Sequence, residues 1–212
     1  YTHMAKSDEA DKTFARNQIR RFKETTDELT RMGARPEILH AANSAGVMEL
    51  PESHFDMVRP GIALYGLWPS GDMDRNRMSL APAMTIRSRI IQVKQVPKGF
   101  GVSYGITHVT SDPTAIATVP IGYADGYSRR LSNRGTMLVR GQIAPVLGRV
   151  CMDFTMIDVG HIKGAAPGDE VVVMGRQGEN RISAGHIAGL TRTINYEVTA
   201  GLTSRMPYTH IP

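Results

Sequence analysis

The sequence holds only one cysteine, Cys151, in 212 residues. A single thiol excludes a disulfide within the chain and agrees with a reducing, cytoplasmic environment. On its own, a cysteine beside an apolar run is most simply a small buried side chain. A chain of this length can bury a proper core, so the sequence predicts a fold held by packing rather than by cross-links.

Long apolar stretches are missing as well. No run approaches the roughly 20 residues of a membrane-spanning helix, and no signal-like segment opens the chain. The first residue is Tyr1 rather than an initiator methionine, which we interpret as a natural start lying upstream of this sequence. No membrane partner is therefore expected.

The sequence contains neither a metal-site pattern nor a nucleotide fingerprint. Its seven histidines lack a spacing that would bring two of them onto one face beside a carboxylate, so we expect no metal ligands. A Gly-rich loop of the nucleotide-binding type is absent too. Any chemistry must therefore come from other residue types.

The charge balance is basic, with a formal net charge of +5 and a sequence pI near 9.5. Such a balance can indicate a polyanionic partner. The basic residues are scattered, however, and no aromatic residues alternate with them as in a single-strand groove. We favour a solvated surface that attracts a phosphorylated cofactor or an amino-acid carboxylate, with no nucleic-acid partner. The alternative, a non-enzymatic basic β-barrel binding module, predicts oligonucleotide binding that falls steeply with salt.

In the first third of the chain, predicted helices and strands alternate as they do in a parallel α/β unit. Residues 8–32 predict a helix, 37–42 and 56–64 predict buried strands, and 44–50 predicts a helical turn between them. This pattern matches the last strands of a (β/α)8 barrel of the TIM type, which we assign to residues 1–67. About three such strands cannot close a barrel, so an open apolar edge is expected.

A turn-rich linker over 68–82 precedes a β-rich domain over 83–212. Short β-branched runs separated by turns predict antiparallel hairpins there. The predicted strands are 84–96, 114–119, 136–140, 142–147, 154–159 and 170–174. Ser183 is a helix-capping residue type, and the last predicted elements are helices over 184–190 and 194–201. The predicted fold class is thus α/β followed by an all-β, barrel-like domain.

Seven short motifs occur in a fixed order along the chain. They are Tyr1-Thr2-His3, His40-Ala41-Ala42-Asn43-Ser44, Met57-Val58-Arg59-Pro60-Gly61, Val102-Ser103-Tyr104-Gly105, Ile121-Gly122-Tyr123-Ala124-Asp125-Gly126-Tyr127, Val150-Cys151-Met152-Asp153 and Ile194-Asn195-Tyr196-Glu197. In this order they resemble the carboxyl-terminal part of the pyridoxal-phosphate-dependent alanine racemases, over nearly the whole chain. The resemblance implies an isomerase that uses pyridoxal 5'-phosphate to interconvert L- and D-alanine and supplies D-alanine for peptidoglycan in the bacterial cytoplasm. It also implies a homodimer whose active sites combine the barrel of one subunit with the β domain of the other.

One expected segment of that family is missing. Alanine racemases hold their cofactor on a lysine near the amino terminus, in a strand ahead of a Gly-His-Gly, and no such segment occurs here. The six lysines of the chain all lie in polar or turn-like settings. The resemblance therefore implies a fragment that lacks the N-terminal barrel segment and is inactive alone. Because upstream pocket residues are missing as well, a racemase of serine or another amino acid stays an alternative.

The resemblance assigns four positions to the cofactor phosphate. They are Ser44, the backbone of Gly61 and Ile62, and Tyr196. Ser44 follows a predicted strand at a helix start, where free N–H groups attract anions. A plain N-cap serine is the simpler alternative for that residue alone.

Arg59 lies in an otherwise apolar predicted strand, and a buried guanidinium needs a partner. The residues alone allow an ion pair with Asp56 or Glu52. In the resemblance, Arg59 faces the pyridine nitrogen and keeps it unprotonated. An unprotonated ring is a poorer electron sink, which suppresses transamination as a side reaction.

Racemisation needs a proton-transferring group on each face of the substrate. The resemblance assigns one face to Tyr104, which reaches the other subunit's cofactor, and the opposite face to the missing lysine. A tyrosine is a poor base unless a hydrogen-bonded or cationic neighbour stabilises its phenolate. We expect His3, linked to Arg59, to be that neighbour. Alone, His3 is more simply a strand-end histidine and Tyr104 a hairpin aromatic.

The remaining assignments concern the substrate. Met152 would offer its backbone N–H to the substrate carboxylate, Asp153 would order the loop, and Tyr123 would narrow the pocket together with Tyr196. Met152 alone is more simply a core-filling side chain. Four further positions resemble the charged corridor that leads to the family's active site, although such charges equally form surface ion pairs. They are Asp8, Arg129, Arg149 and Ile194.

Overall fold

A computed structural model of the chain describes residues 1–211, so Pro212, the last residue of the predicted β-rich domain, lies outside it. The backbone divides into two compact units, Tyr1–Ala83 and the residues from Met84 onward. The first unit is mainly helices and loops, and the second is mainly antiparallel strand. Predicted site residues occur in both units.

Helix α1 (Thr13–Arg31) is the longest element of the first unit. Apolar side chains recur along it at helical spacing, and its inner face buries Ala15 and Ile19 against Met4 and Leu50. The outer face is charged and exposed. Burial of this one stripe against the loops around it holds the helix in place, because propensity alone stabilises a helix only weakly.

The start of α1 differs from the prediction over 8–32. The helix begins at Thr13, and residues 8–10 form turns and bends instead. The carboxylate of Asp11 accepts the backbone N–H of Thr13 at 2.9 Å, which satisfies one of the unpaired donors at a helix start. The acidic residues before Thr13 therefore precede the helix rather than form its first turn.

The strands predicted over 37–42 and 56–64 are reduced to a single parallel bridge between His40 and Met57. Its direction is the one that a parallel α/β unit requires. The carboxylate of Asp56 accepts the backbone N–H of Leu39 at 2.8 Å. A side-chain hydrogen bond thus takes the place of one main-chain hydrogen bond between the two segments. The other helices of this unit are α2 (Ser44–Glu49) and the 3-10 helices Pro51–Ser53 and Ile62–Tyr65. The strand prediction is therefore wrong in extent.

A buried ion pair joins the start of α1 to the end of α2. Nζ of Lys12 lies 2.6 Å from Oε2 of Glu49, and both side chains are largely buried. Glu49 also accepts the backbone N–H of Asp74 at 2.7 Å. Burial alone would raise the pKa of Glu49, but the hydrogen bonds from Lys12 and Asp74 outweigh it and hold the pKa below its ordinary value.

Glu49→Gln is expected to destabilise the protein by about 2–3 kcal/mol, because it leaves the Lys12 ammonium buried without a counter-charge. In the wild type the pKa of Glu49 is lowered on folding, so its stabilisation is complete above the unfolded-state pKa and is lost as the pH falls through the lower folded-state value. Urea unfolding at several pH values measures both effects. The matched control is Glu24→Gln, which breaks an exposed pair with Arg20 and should change stability by less than about 0.5 kcal/mol. Equal effects of the two substitutions would contradict the prediction.

Antiparallel strands build the second unit, and ten of them lie in its described residues. They are β1 (Ile86–Arg89), β2 (Gln92–Val96), β3 (Gly101–Val102), β4 (His108–Val109), β5 (Thr114–Val119), β6 (Thr136–Val139), β7 (Gln142–Pro145), β8 (Thr155–Asp158), β9 (Glu170–Gln177) and β10 (Asn180–Ile182). The largest sheet has five strands in the order β1-β9-β6-β7, with β10 also paired to β9. A second sheet has the order β2-β5-β8, and β3 pairs with β4. The buried side chains of these strands are mainly β-branched and other aliphatic residues.

The single strand predicted over 84–96 is two strands in the structure. The N–H of Ile90 bonds to the carbonyl of Asp169 at 2.9 Å, whereas the N–H of Ile91 bonds to Thr118 at 3.0 Å. The chain therefore passes from the five-stranded sheet to the three-stranded sheet between these residues. A continuous apolar pattern cannot reveal such a change of partner. The other predicted strands correspond to β5 to β9, with ends that differ by a few residues.

Two helices follow the strands, α3 (Ala184–Thr191) and α4 (Asn195–Ala200). The predicted cap is confirmed, because the Ser183 hydroxyl accepts the backbone N–H of His186 at 3.0 Å. The hairpin between β6 and β7 turns at Arg140 and Gly141, both with positive φ. That combination gives the twist that a two-residue hairpin loop requires.

Candidate active site

Arg59 is the centre of a polar cluster in the first unit. Its Nη1 donates to Nδ1 of His40 at 2.6 Å, and its Nη2 donates to the carbonyl of Thr2 at 3.0 Å. The same Nη2 lies 3.3 Å from Nδ1 of His3, and the guanidinium carbon lies 5.3 Å from the ring centre of Tyr1. The structure thus brings the predicted residues His3 and Arg59 together.

The ion pair that the residues alone allowed for Arg59 is not formed. Glu52 pairs instead with Arg16 at 3.3 Å, and Asp56 accepts the backbone N–H of Leu39. Within residues 1–211, no carboxylate pairs with Arg59, and its Nε–H has no acceptor. The guanidinium therefore keeps its full charge and at least one donor for a group that binds beside it.

His40 is a site residue that sequence reasoning missed. Burial, followed by the charge of Arg59, lowers the pKa of His40. A neutral imidazole can accept the Arg59 donor at Nδ1, and the Tyr1 ring stacks on it with centroids 5.2 Å apart. The only signal was its place in the His40-to-Ser44 motif, since the contact joins residues 19 positions apart.

Ser44 is the second predicted residue whose setting the structure defines. It is only 3% exposed, and its Oγ accepts the backbone N–H of Gly61 at 2.9 Å and of Ala63 at 3.2 Å. The N-cap alternative is wrong, because Asn43 caps α2 by accepting the N–H of Gly46 at 3.0 Å. The serine hydroxyl is thus directed at the backbone of the predicted phosphate segment.

The backbone around Gly61 forms a small group of converging donors. A Cβ added at Gly61 would meet no atom within 4 Å, so the space above this residue is open. Ile62 follows at once and begins the 3-10 helix Ile62–Tyr65. The N–H groups of Gly61 and Ala63 already converge on the Ser44 oxygen, so a phosphate or another anion at this turn would take over donors that the serine now holds. The contribution of Ala63 was not predicted.

Tyr104 lies in a strained turn of the second unit and is 72% exposed. Ser103 and Ile106 both have positive φ, at 63° and 47°. The hydroxyl of Ser103 donates to the carbonyl of Arg149 at 2.6 Å and holds the turn in place. A Cβ on Gly105 would lie 3.3 Å from the guanidinium carbon of Arg149, so this cation packs against the turn. Arg149, predicted for the corridor, is therefore a neighbour of Tyr104.

Met152 and Tyr123 are held side by side by main-chain hydrogen bonds. The N–H of Tyr123 bonds to the carbonyl of Cys151, and the N–H of Ala124 bonds to that of Met152, each at 3.0 Å. Across residues 1–211 the N–H of Met152 itself has no acceptor. The loop at 151–153 consequently presents a backbone donor beside an aromatic side chain.

Gly122 allows this close approach. A Cβ there would lie 2.2 Å from the carbonyl oxygen of Met152 and 2.3 Å from that of Cys151. Gly122→Ala is therefore expected to destabilise the protein by about 2–4 kcal/mol or to push the 151–153 loop away. Thermal unfolding measures the loss. Gly189→Ala is the control, because a Cβ there meets nothing within 4 Å in helix α3, and it should stabilise by about 0.5–1 kcal/mol.

The other predicted site residues lie in less crowded settings. Asp8 is in a turn of the first unit, and the exposed Arg129 begins the 3-10 helix Arg129–Leu131. Ile194 is the residue before α4, and Tyr196 is in its first turn. All four side chains are at least partly exposed. In the part of the chain that the structure describes, no group of three or more acidic, histidine or cysteine side chains could hold a metal ion.

None of the helices within residues 1–211 has the length and apolar character of a membrane span. Two family profiles match the chain. The one described as "Alanine racemase, C-terminal domain" matches residues 83–210, and the one described as "Alanine racemase, N-terminal domain" matches residues 1–69.

Curated relatives agree with these profiles. A protein named alanine racemase from Desulfosudis oleivorans is 51% identical over 207 residues, which is 98% of this chain and 53% of that protein. Another from Carboxydothermus hydrogenoformans is 49% identical over 211 residues, covering 100% of this chain and 57% of its own length. The chain spans about half the length of the curated relatives it matches.

Solved structures show the same similarity. An alanine racemase from Clostridium difficile in complex with cycloserine is 40% identical with a TM-score of 0.90, and the match covers 96% of this chain and 53% of that one. An alanine racemase from Bacillus anthracis with bound L-Ala-P is 39% identical with a TM-score of 0.91, covering 96% and 52%. The similarity thus extends over both units.

Proposed function

This chain belongs to the alanine racemase family, and we propose that the complete protein interconverts L-alanine and D-alanine with pyridoxal 5'-phosphate as its cofactor. The observation that carries this proposal is the setting of Arg59. Its half-buried guanidinium rests on a neutral histidine and a backbone carbonyl, without a carboxylate partner among the described residues. Such a group is a permanently charged donor that can face a ring nitrogen.

The phosphate-binding residues fit the cofactor. The Ser44 hydroxyl accepts both of its hydrogen bonds and so retains its own hydrogen to donate. The open space above Gly61 lets a phosphate approach the backbone. By the family resemblance, the backbone of Ile62 and the side chain of Tyr196 complete the set of phosphate ligands. These residues would hold the cofactor by its phosphate group.

When bound, pyridoxal 5'-phosphate withdraws electrons from the substrate Cα and makes its proton easier to remove. Arg59 would moderate that effect. A guanidinium does not give up its proton, so a ring nitrogen bound beside it would stay unprotonated and withdraw electrons less strongly. The weaker electron withdrawal would favour return of the proton to Cα over transfer of the amino group. His40 would serve to keep Arg59 in position.

Tyr104 would transfer the proton on one face of the substrate. Its exposed phenol stands on a turn fixed by the bond from Ser103 to Arg149, and the Arg149 guanidinium packs against that turn at Gly105. His3, which contacts Arg59, would link this group to the cofactor site in the assembled enzyme. The opposite face requires a lysine from outside these residues.

The 151–153 loop would bind the substrate carboxylate. The N–H of Met152 is a donor without an acceptor in residues 1–211, and Tyr123 lies beside it. A backbone N–H is a good ligand for a carboxylate when water is excluded. Tyr123 and Tyr196 would limit the substrate side chain to a methyl group. The corridor to the site would be lined by Asp8, Arg129, Arg149 and Ile194.

The proposed assembly is a homodimer with shared active sites. Residues 1–67 would belong to the cofactor-binding barrel, 68–82 to a linker and 83–212 to the β domain that serves the other subunit. The product D-alanine would supply peptidoglycan synthesis in the bacterial cytoplasm. A serine racemase is a less favoured alternative, since the matched relatives are named alanine racemases. A nucleic-acid binding module is not favoured for the same reason.

The test begins with the protein purified as it is expressed. Intact mass finds any lysine-bearing upstream segment, and absorbance finds a chromophore that is lost on borohydride reduction. Racemisation of L-alanine, followed by circular dichroism, should then be detected only when both are present. L-serine is the comparison substrate and should react far more slowly. Turnover by residues 1–212 alone would contradict the assignment of a lysine outside the chain, and no turnover by the complete, cofactor-loaded protein would contradict the proposed function.

A further inference from the structure

We propose that Arg205 is a positioning residue for substrate binding, which clamps the 151–153 loop against the turn at 122–126. This inference rests on the proposed function, because the loop carries the Met152 N–H assigned to the substrate carboxylate. Arg205 lies outside the seven motifs that carry the family resemblance.

Arg205 bridges two carboxylates on different segments. Its Nη2 lies 2.6 Å from Oδ1 of Asp153, and its Nε lies 3.5 Å from Oδ1 of Asp125. Asp153 directly follows Met152 in the loop, whereas Asp125 belongs to the turn that carries Tyr123. One guanidinium therefore neutralises both acids and joins the two segments that form the proposed carboxylate site.

Asp125 gives the bridge a rigid anchor. It is buried, with 9% exposure, and its Oδ2 accepts the backbone N–H of Gly122 at 2.9 Å. The segment that carries Arg205 is also tied to this turn. The hydroxyl of Thr203 donates to the carbonyl of Ala124 at 2.9 Å, and the N–H of Thr203 donates to the carbonyl of Asp125. Arg205 therefore extends from a fixed base, and the loop at Asp153 is the part that it restrains.

The geometry requires an arginine. One nitrogen of the planar group donates a hydrogen bond to Asp153 while another lies within ion-pair distance of Asp125, and a lysine offers only a single point charge on a flexible stem. Without the cation, the two aspartates would repel each other across the contact between loop and turn. The main-chain bonds from Tyr123 to Cys151 and from Ala124 to Met152 would then open more often.

The kinetic consequence is specific to binding. The Met152 N–H would contact the carboxylate equally before and during proton transfer, so a less ordered loop weakens both states alike. Arg205→Ala should raise KM for alanine about tenfold while kcat changes less than about twofold. Arg205→Lys should fall between the wild type and Arg205→Ala.

The experiment uses the complete, cofactor-loaded enzyme and two readouts. Steady-state kinetics gives KM and kcat, and hydrogen–deuterium exchange of peptides covering 122–126 and 150–154 reports the loop directly. Arg181→Ala is the control, because it removes an exposed arginine of β10 in the same unit. We expect exchange in both peptides to become at least about threefold faster in Arg205→Ala and to stay unchanged in Arg181→Ala.

The two readouts separate the possible failures. Unchanged exchange in Arg205→Ala overturns the clamp, whatever the kinetics. Faster exchange with an unchanged KM overturns the role in substrate binding. A fall in kcat with no change in KM also overturns the role in substrate binding. If the wild-type enzyme does not racemise alanine, the proposed function fails, and the exchange data still decide whether Arg205 holds the loop.

Discussion

Replacing Tyr104 with phenylalanine is expected to lower kcat for alanine racemisation about a thousandfold in both directions, the middle of the range for losing a general acid–base group. The change removes one oxygen and keeps the ring. The backbone of the turn is held by Ser103, whose hydroxyl bonds to the carbonyl of Arg149, so the fold should not change. Racemisation measured by circular dichroism from both enantiomers tests the loss.

Proton exchange at Cα distinguishes this role from a merely structural one. Without the phenol, one face of the substrate has no proton-transferring group, but the lysine on the opposite face remains. One enantiomer should therefore exchange its Cα proton with deuterated water, without inversion, at a rate well above the rate of racemisation. Proton NMR follows this exchange.

The matched control for Tyr104 is Tyr208→Phe, which removes the phenol oxygen of another tyrosine that is mostly exposed in the same unit. That variant should retain wild-type kcat. Should Tyr104→Phe lose exchange for both enantiomers to the same degree as racemisation, the two-face assignment would be wrong. Should it retain full activity, Tyr104 would have no part in proton transfer.

Replacing Arg59 with lysine is expected to lower kcat about a hundredfold, comparable to the loss of one well-placed electrostatic donor. The contacts from the guanidinium to His40, Thr2 and His3 use two nitrogens at once, and a single ammonium cannot reproduce them. An ammonium can also give up its proton to a ring nitrogen. Electron withdrawal would increase, and amino-group transfer to the cofactor should release pyruvate.

Pyruvate released per racemisation event is the decisive quantity for Arg59. It is measured by coupling to lactate dehydrogenase, and it should rise at least about tenfold in Arg59→Lys. The control is Arg16→Lys, which alters an exposed arginine of α1 that pairs with Glu52. Wild-type pyruvate release in Arg59→Lys, together with near wild-type kcat, would contradict the role assigned to Arg59.

Much of the fold was predictable because its signals are local. The amphipathic stripe of α1 depends on side chains three or four positions apart, and the cap at Ser183 depends on an N–H three positions away. The hairpin turn at Arg140 and Gly141 depends on two adjacent residues. The strands of the first unit were overpredicted, since an apolar run cannot show that a hydrogen bond to the Asp56 side chain takes the place of a main-chain hydrogen bond.

The sequence by itself determined the order of motifs, the residue types in them and hence the resemblance to a family, along with the elements whose signals lie within a few residues. Only the tertiary structure decided which residues meet. It set His40 against Arg59 across 19 positions, and it brought Arg205 to Asp153 across 52. The physical reason is that these contacts follow from how distant segments pack, and no periodicity within one segment encodes the partner that another segment supplies.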